Sequence, residues 1–88
     1  QVLEPRHILN VPTIWNGNVT MKVTQHPTPI EIKAYDVSGR MIKQLYTGKI
    51  NIPVQIQLKS NDFPRGIIFI KLSSKDIIEV RKIINLGK

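Results

Sequence analysis

The chain has 88 residues, room for one domain with a thin core, because a chain of this size buries only about 60–65% of the surface its unfolded form exposes. Thirteen Lys and Arg against six Asp and Glu give a net charge of +7, and the lack of cysteine excludes disulfide staples and thiolate chemistry. No apolar run approaches the roughly 20 residues of a membrane helix.

The sequence opens on Gln1 rather than Met and carries no signal peptide, which suggests a fragment or processed piece of a longer protein. Residues Gln1 to His7 lack periodicity and contain Pro5; they are expected to form a linker from an upstream domain, with the folded domain over residues 8–88. Ile8 to Trp15 is apolar but interrupted by Pro12, so any strand there is short or at an edge. Asn16–Gly17 is a two-residue turn signal of the I′ kind, since both residue types tolerate positive φ. Val19, Met21 and Val23 alternate with Thr20, Lys22 and Thr24 as in a half-buried strand, and the prolines of residues 26–29 predict a rigid loop.

The clearest local signal follows. Ile30, Ile32 and Ala34 alternate with Glu31, Lys33 and Tyr35, Asp36 to Gly39 provide turn chemistry, and Met41, Ile42 and Leu45 restart an apolar strand. Residues 47–49 are expected to turn the chain again. Ile52, Val54, Ile56 and Leu58 alternate in a strand that Pro53 confines to an edge or a beginning. Residues 59–66 form a long turn with Pro64 and Gly66 spaced for type I geometry, and Phe63 within it is expected to plug one end of the core. Ile67 to Leu72 is almost unbroken β-former, the pattern of a central strand covered on both faces. Residues 73–76 turn, and Ile77 to Leu86 forms the last strand. Six or seven strands without a helix pattern predict an all-β, immunoglobulin-like antiparallel β-sandwich.

No constellation for catalysis emerges. His7 and His26 lack partners at metal-ligand spacing, the carboxylates are scattered, and Asp36, Asp62 and Asp76 suit turn capping. The serines sit in turns without a nucleophile motif, and Gly39, Gly48 and Gly66 belong to separate turns. The chain is therefore expected to be no enzyme, with no cofactor and no metal. Nucleic acid is not expected as a partner either: Trp15, Tyr35, Tyr46 and Phe69 fall on four elements and form no stacking ladder, and the lysines alternate singly with strand residues.

Three stretches carry a family likeness: Ile30 to Arg40, Phe63 to Leu72, and Val80 to Ile83 with its neighbours to Lys88. In order and spacing they resemble the C-terminal sorting domain of the type IX secretion system, found at the ends of many secreted proteins of Bacteroidetes and related bacteria. Asp36, Gly39 and Arg40, with Pro64 and Gly66, match its fold-defining turns. Asn10 to Ile14 stands where the family usually has a Pro-Asn-Pro element, and Ile68 stands for the first aromatic of its Gly-Ile-Tyr strand. An immunoglobulin-like domain of flagellar hook-capping proteins shares much of the pattern.

The resemblance implies a non-catalytic signal that directs an upstream cargo domain across the outer membrane, via the periplasm, to a secreted or cell-surface location. Its implied partners are the outer-membrane secretion machinery and a sortase-like peptidase that removes the domain, with residues 1–7 as the natural place for that cut. Recognition would fall on the last strand and its basic end, Arg81, Lys82 and Lys88, unless these only solvate the terminus. The alternative is a structural or adhesive accessory module of an extracellular enzyme such as a peptidase.

Overall fold

In the computed structural model, residues 9–75 and 77–87 are described, and apart from one 3-10 turn at Ser60–Asp62 their regular structure is all strand. The strands are β1 (Leu9–Asn10), β2 (Ile14–Trp15), β3 (Asn18–Val23), β4 (His26–Tyr35), β5 (Met41–Ile50), β6 (Val54–Lys59), β7 (Gly66–Ser74) and β8 (Ile78–Asn85). They form two sheets, β1-β3-β6 and β2-β8-β7-β4-β5. Inward residues of both sheets make one core: Met21 and Val23 from β3, Leu58 from β6, Ile30, Ile32 and Ala34 from β4, Ile68, Ile70 and Leu72 from β7, and Ile83 from β8. Each large aliphatic side chain withdrawn from water in this way contributes about 1.5–3 kcal/mol. The arrangement is consistent with the expected immunoglobulin-like sandwich.

Several local expectations change. Pro12 lies between β1 and β2, and the chain switches sheets there: Leu9 and Asn10 pair antiparallel with β3, whereas Ile14 and Trp15 pair parallel with Ile84 and Asn85 of β8. Among the described residues six strands have six residues or more and two have only two, and one pair is parallel. Asn16–Gly17 joins strands of different sheets and is no hairpin; Gly17 has φ +80°, but no residue other than glycine has positive φ among the described residues, so type I′ geometry is absent.

Residues 26–29 are strand rather than loop, because proline's fixed φ suits extended backbone even though it gives no N–H. The cost is a broken register: His26 faces Ile50 and the next pair is Ile30 with Gly48, four positions on β4 against two on β5. Gly48 lies inside β5 at φ +125°, a conformation a side chain would oppose, so the expected turn at residues 47–49 is an irregular strand instead. β5 carries two more irregularities, with Leu45 and Ile42 as extra residues between successive pairs.

β6 begins directly after Pro53 and is an edge strand, as its pattern requires, while Ile52 falls outside it and is exposed. β7 is the middle strand of five, but only one of its faces is covered: Ile68, Ile70 and Leu72 are buried, whereas Ile67 is exposed and Phe69 and Lys71 are half-buried on the outer side. Phe63 closes one end of the core and meets the Trp15 ring edge-on, with centroids 4.7 Å apart at 60°.

Candidate functional site

The fold gathers the sequence-marked residues at two places on the five-stranded sheet. The first is the turn between β4 and β5. Asp36 Oδ1 accepts the Ser38 N–H at 3.0 Å, the Ser38 hydroxyl at 2.7 Å and the Arg40 N–H at 3.0 Å, while its own carbonyl accepts the Gly39 N–H at 3.0 Å. Gly39 takes φ +90°, which lets the chain reverse without a Cβ clash. Arg40 Nε lies 3.3 Å from Asp36 Oδ2, but the Arg40 side chain is exposed and such a pair contributes little.

The Ser38 hydroxyl, then the Arg40 amide, the Ser38 amide and the Arg40 charge, hold the Asp36 carboxyl below its ordinary value. A carboxyl depressed on folding stabilises the fold above its unfolded pKa of about 4, and that contribution is lost as pH falls through the folded value. Urea midpoints of the wild type should therefore fall more steeply on acidification below pH 4 than those of Asp36→Asn. Parallel pH profiles would show that the carboxylate charge is not what the turn uses.

The second place is where β8 meets the 60–66 segment. Gly66 starts β7 opposite Asn85, and Asn85 is buried. Its Nδ2 donates toward the carbonyls of Ser60 at 3.2 Å, Phe63 at 3.3 Å and Pro64 at 2.9 Å, two hydrogens shared among three acceptors, and its Oδ1 accepts the Gly87 N–H at 3.0 Å. Trp15 Nε1 donates to the Gly17 carbonyl at 2.7 Å beside it. Periodicity held the clue to Asn85: it continues the inward alternation from Ile83, and a polar residue there must find partners. Asp62 is not a turn cap but lies 3.8 Å from Lys43, whose ammonium is 5.9 Å from the Phe63 ring centroid.

Between these places lies the outer face of β4, β7 and β8. Register sets Tyr35 opposite Phe69 and Phe69 opposite Lys82, and sets Lys33 opposite Lys71 and Lys71 opposite Val80. Two aromatic rings thus become cross-strand neighbours that the sequence separates, because pairing between distant strands leaves no local trace. A shallow groove of about 340 Å³ joins the hairpin turn to β8, lined by Tyr35, Val37, Gly39, Phe69, Lys71 and Val80 among others.

Arg81 and Lys82 part company on β8. Arg81 Nη2 lies 2.6 Å from Glu79 Oε2, both side chains being largely covered. Lys82 is exposed on the outer face and meets no carboxylate among the described residues. Lys88 and residues 1–7, expected from the sequence to be a linker and including His7, lie outside the described residues, as does Asp76. Among the described residues no three His, Asp or Glu side chains converge as metal ligands, and no helix is long and apolar enough to cross a membrane.

A family model described as the secretion system C-terminal sorting domain fits residues 12–85. No curated protein and no solved structure matches the chain.

Proposed function

The chain belongs to the family of secretion-system C-terminal sorting domains, and we propose that its last strand, β8, is the surface through which the export machinery recognises it. A domain of this family is a non-catalytic sorting signal of type IX secretion. It sends the protein that carries it across the outer membrane to a secreted or cell-surface location, so its partners are a cargo precursor and the type IX machinery. That match favours export over the role of an accessory module.

The finer reading concerns which residues are contacted and what happens to the domain. Lys82 carries recognition, and the observation behind it is an exposed ammonium on the outer face of β8 with no carboxylate beside it among the described residues. Arg81, already paired with Glu79, orients that strand end more than it meets a partner directly, and Lys88 extends the basic end. Domain and linker divide at residues 7 and 8. A sortase-like peptidase removes the domain by cutting in that linker, which precedes the matched stretch and is the region least tied to the core pattern. The signal acts on the cargo, and whatever catalysis the precursor performs belongs to that cargo.

Removing residues 83–88 would not test this, because Ile83 and Asn85 belong to the buried interior and their loss would unfold the domain. A charge reversal at Lys82 leaves both in place. In a secreted reporter ending in this chain, Lys82→Glu should reduce export severalfold while the purified domain keeps its melting temperature. Mass spectrometry of the exported wild-type reporter should show a new C-terminus at or before residue 7. Unchanged export of the variant would remove Lys82 from recognition, and a retained domain would remove the processing step.

A further inference from the structure

We propose that residues Ile78–Lys82 accept one added strand from a partner segment that is acidic opposite Lys82 and apolar opposite Val80 and Ile78. This deepens the reading of β8 as the recognised surface and rests on it. The starting point is hydrogen bonding. The N–H groups of Ile84 and Leu86 donate to the carbonyls of Thr13 and Trp15 at 2.8 and 3.0 Å, on the side of β8 away from β7. Because backbone groups alternate along a strand, the N–H and C=O of Ile78, Val80 and Lys82 point to the same side. Among the described residues β2 and Thr13 cover that side from Ile84 to Leu86, and no strand pairs with it over residues 78–82.

The other long edges of the sandwich are less receptive. β5 is interrupted where Leu45 and Ile42 bulge, and β6 starts after Pro53 with exposed Gln55, Gln57 and Lys59 between its inward apolar residues. β8 between residues 78 and 82 pairs with β7 without a register shift, and its outward side chains are Ile78 at 67% exposure, Val80 at 49% and the exposed Lys82. A regular edge with apolar side chains is what strand addition uses: main-chain bonds supply affinity and alternate side chains supply selectivity. Five residues give about 17 Å of edge.

The occupant follows from charge. Lys82 and its diagonal neighbour Lys71 meet no carboxylate among the described residues, and the chain carries +7 overall, so an acidic segment is attracted and a basic one repelled. The remaining charges at this edge, Glu79 and Arg81, form an ion pair with each other on the inner side.

The test uses the whole 88-residue chain and two synthetic octapeptides, one alternating Glu with Val and Ile, the other with Lys in place of Glu. Amide exchange followed by NMR should slow at least tenfold at Val80 and Lys82 with the Glu peptide and stay unchanged with the Lys peptide. Val80→Pro removes an outward N–H while sparing the β7 ladder, so it should fold and lose the protection. Lys82→Glu should invert the preference toward the Lys peptide, which keeps the test decisive if the proline variant fails to fold. Equal binding of both peptides, protection elsewhere, or concentration-dependent self-association protecting the same amides without peptide would each overturn the proposal. If Lys82→Glu blocks export while the Glu peptide gives no protection, strand addition fails and recognition through β8 stands. Peptide binding with unaffected export of the variant would instead remove the recognition reading.

Discussion

Replacing Trp15 with alanine should cost about 3–5 kcal/mol of stability, the range for removing a large buried aromatic. Trp15 has no exposed surface, packs edge-on against Phe63, and donates from Nε1 to the Gly17 carbonyl. It is also half of the two-residue strand β2, whose strand partner among the described residues is β8. The substitution therefore opens a cavity and frees the short strand together, in a domain whose total stability is expected to be on the order of 5–15 kcal/mol. Trp15→Phe should cost less, since it keeps an aromatic ring beside Phe63 and loses the indole bond, worth about 1 kcal/mol. Urea unfolding followed by circular dichroism measures both. A loss below about 1 kcal/mol for the alanine variant would mean that this end of the core rests on other residues.

Asn85→Ala should cost about 2–3 kcal/mol through a different mechanism. Its amide serves the carbonyls of Phe63 and Pro64 as well as that of Ser60, and Ser60 alone keeps a further donor, the Phe63 N–H at 3.2 Å. A buried acceptor left unpaired costs about 1–3 kcal/mol. Asn85→Asp should be worse at neutral pH, because it turns carboxylate oxygens toward carbonyl oxygens. Its carboxyl would titrate above the unfolded value, so stability should recover as pH falls and protonation restores a donor. If the aspartate variant matched wild type at pH 7, the amide would not be what ties the end of β8 to the 60–64 segment.

What could be seen in the sequence was what neighbours in the chain decide. The β4–β5 hairpin was legible because Asp36, Ser38 and Gly39 close the turn on themselves. The buried sides of β3 and β4 followed from period-two alternation, and Phe63 from being an apolar residue stranded in a turn, whereas the unbroken apolar run of β7 hid which of its faces is covered. What could not be seen depends on partners far along the chain. Pro12 marks a change of sheet only because β8 is there to receive Ile14 and Trp15, and Gly48 reads as a turn until Ile30 is set opposite it. Tyr35 beside Phe69 is likewise a product of register. The candidate surface was legible in part: the basic pair was plain, but the difference between Arg81, paired with Glu79, and Lys82, which meets no carboxylate among the described residues, needed the fold.

The parallel contact of β2 with β8 has a bearing on timing. Ile14 meets Ile84 across nearly the whole domain, and β8 also completes the ladder with β7, so the last strand made is the one that joins the first part of the chain to the rest. Contacts so distant in sequence form late and slowly, since loop closure must precede them. A ribosome still short of residue 78 holds a chain whose outer face lacks Val80 and Lys82 and whose Trp15 has no strand to lie against. Neither the β2 contact nor the β7–β8 ladder can form until β8 exists, so a chain cut short of residue 78 would lack the strand that carries Lys82.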